Sequence, residues 1–195
     1  MKRLFILIFV VFATSMVWAK GDSQNLEISP FGGVATTGSD VDALGWGMGL
    51  FLGLPIGDQF TLGEQTAYYS IAYQPPNSGP DLTVFSLGGG KTILNESILC
   101  KKRFGNDPFH FVVEAGGGLS FYSDNSRESG ISFGLPFSFD NHISETCPMV
   151  LGGIGLEVSL SRELDVYCMA GMDVILLSGG TEEYLPIVAG LSILP

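Results

Sequence analysis

From residue 43 to the end, the chain alternates apolar with small or polar residues in paired runs. In Ala43 to Leu54, Leu44, Trp46, Met48, Leu50, Leu52 and Leu54 are apolar, with Gly45, Gly47, Gly49, Phe51 and Gly53 between them. A period of two means a strand, here with one greasy face and one nearly bare face. Thr146 to Leu160 sets Val150, Ile154, Leu156, Val158 and Leu160 against Gly153, Gly155, Glu157 and Ser159. In Val166 to Leu176, even positions from Val166 to Leu176, including Cys168 and Met172, oppose Tyr167, Met169, Gly171 and Asp173. The last run opposes Leu185, Ile187, Ala189, Leu191 and Ile193 to Tyr184, Val188, Gly190 and Ser192.

Four further runs are less regular. Phe109 to Tyr122 separates Phe109, Phe111, Val113, Ala115, Leu119 and Phe121 from His110, Glu114, Gly116, Gly118, Ser120 and Tyr122. Phe60 to Tyr73 opposes Ala67, Tyr69, Ile71 and Tyr73 to Glu64, Thr66, Tyr68 and Ser70, and its first half lacks a clean apolar face. Leu26 to Thr36 contains Pro30, and Leu82 to Arg103 is interrupted by Gly88-Gly89-Gly90, where a bulge or bend is expected. Eight strands are therefore expected.

The connections alternate in length. Pro55 to Gln59, Gly105 to Pro108 and Ser161 to Leu164 read as tight turns, while Thr37 to Asp42, Gln74 to Asp81, Ser123 to Glu145 and Ser178 to Glu183 read as longer polar loops. Short turns on one side and long loops on the other, with an even strand number, suit an up-and-down transmembrane barrel. Both termini then fall on the short-turn side.

The first nineteen residues, MKRLFILIFVVFATSMVWA, read as a secretory signal peptide: Lys2 and Arg3 lead, Leu4 to Val11 form the apolar middle, and Val17-Trp18-Ala19 precedes the expected cleavage at Lys20. Residues 20–195 are then a single barrel domain. Removing Lys2 and Arg3, with no acid, takes the formal charge from −11 to −13, which makes nucleic acid an unsuitable partner. A mean hydropathy of +0.35 beside that acidic excess is awkward for a soluble domain but natural for a barrel in lipid. No later stretch is long enough to cross a bilayer as a helix, so strands must do it.

Eight strands enclose an interior that side chains just fill. Glycines beside Phe51, Tyr68 and Tyr167 are expected inside, as are the acids Glu64, Glu114, Glu157 and Asp173. Lys91, Lys101 or Lys102, Arg103 and His110 are the basic candidates to meet them. Cys100, Cys147 and Cys168 have no metal-ligand or disulfide spacing and are expected as wall residues, with Cys147 and Cys168 too far apart along their strands to bridge.

The segments FHFVVEAGGGLSFYS, CPMVLGGIGLEVSLSRELDVYCMAGMDVILL and LPIVAGLSIL resemble the second half of small eight-stranded outer-membrane barrels of the OmpA/OmpX type. The resemblance covers the chain well from Phe109 onward, through compositional motifs, and is patternwise before it. It implies the outer membrane of a Gram-negative-type bacterium, surrounding lipid and a barrel assembly machinery as partners, and a structural or surface-interaction role without catalysis. The ending Ser192-Ile193-Leu194-Pro195 departs from the terminal aromatic residue usual there.

Other signals are weaker. Gly88-Gly89-Gly90-Lys91-Thr92 imitates the end of a phosphate-binding loop, but Phe85 stands where its leading glycine belongs and no helix pattern follows. Asn95-Glu96-Ser97 is formally a glycosylation sequon and is read as chance. His142-Ile143-Ser144 with Glu145 and Glu157 bears some similarity to the His, Ser and Glu of outer-membrane lipid A deacylases, at a different place in the chain. No catalytic, cofactor or metal residue is assigned. The stretch Ser123 to Glu145, polar and then rich in Phe133, Phe137 and Phe139, is the candidate for a surface ligand; the alternative is that it covers the barrel mouth or extends the neighbouring strands. The competing functional classes are a soluble lipocalin-like ligand barrel, a small lipid-modifying enzyme and a passive pore.

Overall fold

The computed structural model describes residues 26–37, 44–57, 59–72, 82–132 and 135–194. The expected signal peptide and the turn residue Asp58 lie outside them, as do Phe133 and all of 38–43 and 73–81. Eight antiparallel strands close into a barrel in sequence order: β1 (Glu27–Thr37), β2 (Leu44–Ile56), β3 (Phe60–Ala72), β4 (Leu82–Asn106), β5 (Phe109–Ser132), β6 (Leu135–Ser159), β7 (Leu164–Leu177) and β8 (Gly180–Ile193). β1 completes the ring by pairing with both β2 and β8. Its register with β8 pairs Ile28 with Ile193 and resumes at Phe31 with Gly190; the gap contains Pro30, which has no N–H to give. Closure leaves no backbone edge within the barrel wall, the condition for spanning lipid with strands.

The three connections expected as tight turns stand at one end. Gly57, at φ +71°, and Gly105, at φ +112°, take backbone shapes that side chains rarely allow. Both ends of the described chain are here too, the Leu194 N–H donating to the Glu163 carbonyl at 3.0 Å.

Alternation places the bare face of β2 inward and its leucines, Trp46 and Met48 outward, as expected. The inward glycines are vacated for rings. A Cβ on Gly49 would lie 2.3 Å from the Phe31 ring, and one on Gly47 equally close to Tyr69. This need corrects the expectation for β3. Ala67, Tyr69 and Ile71 are buried inside to fill the space the β2 glycines leave, which turns Glu64 and Tyr68 outward.

Further departures concern the ends of strands. The bulge expected at Gly88-Gly89-Gly90 is absent; those residues pair regularly with Arg127, Ser126 and Asn125, and the irregularity falls between Val84 and Ser86. Ser178 to Glu183 is no long loop: Leu177 pairs with Gly180 around Ser178 and Gly179. Ser123 to Glu145 is almost wholly strand, with β5 and β6 paired out to Ser132 and Leu135. Cys100 and Cys168 sit on the wall as expected, but Cys147 is buried inside, and all three thiols are free.

The outer wall carries the apolar surface: Met48, Ile98, Phe111, Val150, Ile154, Met172 and Ile187 are all exposed there. Aromatic residues gather at two levels. Phe60, Phe104, Phe109 and Phe111 flank the short-turn end, where the Lys102 ammonium lies 4.8 Å from the Phe60 ring and 4.7 Å from the Phe104 ring. Trp46 and Tyr68, 5.5 Å apart, stand further along the wall. Aromatic bands flanking an apolar belt are the signature of a lipid-embedded barrel.

Candidate functional site

Two features go beyond what closing a barrel requires. The first is strand length. β1, β2, β3, β7 and β8 have 11 to 14 residues, enough for a tilted crossing, whereas β4, β5 and β6 have 25, 24 and 25. β3 last pairs with β4 at Ala72 and Gly90, and β7 last pairs with β6 at Ile175 and Met149. Beyond those pairs, β4, β5 and β6 continue as a three-stranded sheet whose backbone ladder, among the described residues, runs within these three strands. Its outer strands, 82–89 and 135–148, each pair on one side among the described residues. Such edges present unpaired backbone donors and acceptors that another extended chain can match.

A clamp marks the sheet's junction with the barrel. The Glu145 carboxylate accepts from the Ser178 hydroxyl at 2.8 Å and the Ser178 N–H at 3.2 Å. These bonds hold the carboxyl below its ordinary range.

The second feature is the charged lumen. At the short-turn end, Glu27 and Glu157 meet Lys101 and Arg103. Arg103 bonds Glu27 at 2.9 Å and also holds Glu157, and Lys101 reaches Glu157 at 3.3 Å as well as Glu27. Ser29, Ser192 and Thr61 add hydroxyl donors to Glu27 at 3.0, 2.9 and 3.2 Å. Two acids and two bases cancel, and a carboxylate with five donors is well satisfied even when fully buried. The sequence singled out Glu157, Lys101 and Arg103, but missed Glu27; its place two residues before Ser29 and four before Phe31, all on one face, is the signal that could have found it. Lys102 faces out.

At the opposite end Lys91 pairs with Glu182. Lys91 therefore serves as a lumenal partner on a continuous strand and not as the end of a phosphate loop. Between the ends, Asp173 accepts from Asn95 Nδ2, at 3.1 Å, and Glu114 shares a cavity of about 20 Å³ with Lys101, Gln65, Ser29 and Tyr167. Asn95 is 2% exposed and inward, so the sequon is closed to a glycan. Asp124, expected in a loop, is buried at the mouth, 3.5 Å from the Tyr122 hydroxyl.

On the lipid side, Glu64, Thr66, Ser70, Thr92 and Glu96 form a polar strip on β3 and β4, and the Thr66 hydroxyl donates to Glu96 at 2.8 Å.

The His142, Ser144 and Glu157 constellation is not assembled. His142 and Ser144 are exposed two residues apart on the projecting part of β6, Glu145 is occupied by Ser178, and Glu157 lies fifteen positions from His142 in the quartet. His110 is 3.1 Å from Asp107 beside a short turn. Among the described residues no group of three or more His, Cys, Asp or Glu side chains is placed to hold a metal.

No protein-family model matches the chain, and no curated protein matches it. Solved structures do. Neisserial surface protein A (NspA) superposes with a TM-score of 0.56 at 13% identity, over 89% of this chain and 98% of that one. A major outer membrane protein from Thermus thermophilus gives 0.51 at 12% identity, over 86% and 98%. The outer membrane enzyme PagL gives 0.51 at 16% identity, over 87% and 99%. The chain thus has the closed eight-stranded fold of small outer-membrane barrels, a fold that carries both surface proteins and an enzyme.

Proposed function

We propose that the protein is an outer-membrane barrel that displays a recognition sheet at the cell surface and performs no catalysis. The observation that carries this reading is the doubling of β4, β5 and β6 relative to their neighbours. A barrel needs only about 9–11 residues per strand to cross the membrane. The additional residues make an ordered sheet with two free edges among the described residues, which suits pairing with an extended segment of a partner protein. The lumen is filled and cross-linked by ion pairs, which suits a scaffold better than a pore.

The direct test shortens the sheet to barrel height by deleting residues 126–141 and joining Asn125 to His142, a register pair, through a two-residue Asn-Gly turn. Folding is read from heat-dependent gel mobility after extraction from outer membranes. Cells bearing the shortened protein should keep the folded barrel and lose adherence to protein-coated surfaces. Unchanged adherence with a folded barrel would sink the proposal.

A further inference from the structure

We propose that the middle of the lumen binds one small monovalent cation, with sodium the fitting ion, between the Asp173 carboxylate, the Asn95 amide oxygen and the Ser120 hydroxyl. The charge inventory leads there. Lys101 and Arg103 are committed to Glu27 and Glu157, and Lys91 to Glu182. Lys102 lies against two rings on the outer wall, and His110 sits beside Asp107 at the short-turn end. Asp173 is 5% exposed, and among the described residues no ion pair reaches it. An isolated carboxylate at that depth is costly unless a positive charge joins it.

Independent support comes from two neutral oxygens. Asn95, 2% exposed, gives its Nδ2 to Asp173, leaving its Oδ1 buried without a partner among the described residues. Turning the amide over would set Oδ1 against the carboxylate, so the orientation is fixed by charge. Ser120, fully buried, pairs with Asn95 across β4 and β5, and its Oγ also lacks a partner among the described residues. Each of these groups offers a lone pair, and a cation satisfies them together. The donor set is all oxygen with one carboxylate, and no cluster of three or more acidic, His or Cys ligands is present among the described residues. Hard oxygen donors exclude the softer transition metals, and a single negative charge matches a single positive one. Glu114 lines a small cavity with Lys101, Gln65 and Tyr167.

The probe is sodium itself. The full barrel is refolded into detergent micelles at constant ionic strength in sodium, potassium or choline chloride, so that the ion is present while the lumen closes. Sodium should raise the melting midpoint over choline, with a shift that grows with the logarithm of sodium concentration. Asp173→Asn, which keeps the shape and removes the charge, should abolish that shift, and Ser120→Ala should reduce it. Because a variant can fail to fold, sodium-23 relaxation on the unmodified protein gives a second reading: bound sodium broadens the line, and excess choline leaves the broadening in place. Equal midpoints in sodium and choline, or a sodium shift that survives in Asp173→Asn, would overturn the proposal. So would a midpoint that responds to pH and not to sodium, which would assign the site to a proton.

Discussion

The short-turn end of the lumen and its middle are built from the same residue types and solve burial in opposite ways. At the end, Glu27 and Glu157 are locked to Lys101 and Arg103, with Ser29, Thr61 and Ser192 completing the bonds. In the middle, Asp173 has one amide donor, and the Asn95 and Ser120 oxygens have none. The first arrangement is a cross-link that ties β1, β4 and β6 together across the barrel. The second leaves acceptors in excess, the arrangement that the proposed cation would satisfy. Charge alone does not separate structure from site; the balance of donors to acceptors does.

The largest way to break this comparison is to remove a cation from the quartet. Lys101→Met leaves two buried carboxylates with Arg103 alone and should cost about 3–5 kcal/mol, read as a lower urea midpoint of the heat-modifiable form. A smaller cost tests the packing between the two levels. Gly49→Ala drives a methyl against the Phe31 ring and should destabilise by about 1–3 kcal/mol in the same assay. The lipid-facing strip tests the same rule from outside: Glu64→Leu on the outer wall should stabilise the barrel in bilayers by about 1–2 kcal/mol, the opposite sign to losing an inward charge.

The smallest expected effect is at the rim. The Glu145 carboxyl is held below its usual range by Ser178, so its bonds are intact above the ordinary carboxylate range and are lost as pH falls through the lowered value. The Ser178 amide resonance should shift on that titration, and Glu145→Gln should remove the shift without changing the fold. A Ser178 resonance that ignores pH would show the clamp to be open in solution.

Much of the barrel could be read without coordinates, because a strand with one lipid face announces itself by period two. β2, β6, β7 and β8 carry dominantly apolar outer faces, so the expected parity for each agrees with the observed burial. β3 misled because its apolar set is inward and its outward set includes Thr66 and Ser70; only its register against the β2 glycines resolves the face. The stretch from Ser123 to Glu145 read as a loop because polar residues dominate its first half, and the alternative that it extends the neighbouring strands is what the pairing bears out. A sheet standing in water has no lipid face to betray it, and its strands are revealed by pairing alone.

The site was less legible than the fold. Acids and bases were expected inside, but Glu27 was overlooked and Glu64 was placed on the wrong face. By itself the sequence determined that the chain makes strands, how many, and where three of the tight turns fall, since each of these depends on neighbours a few residues apart. Tertiary structure decided which charge meets which: Glu27 reaches Lys101 and Arg103, more than seventy residues away, only because closure and strand stagger bring β1 and β4 to one level. Electrostatic pairing across a lumen depends on distance in space, and that distance does not exist until the barrel is closed.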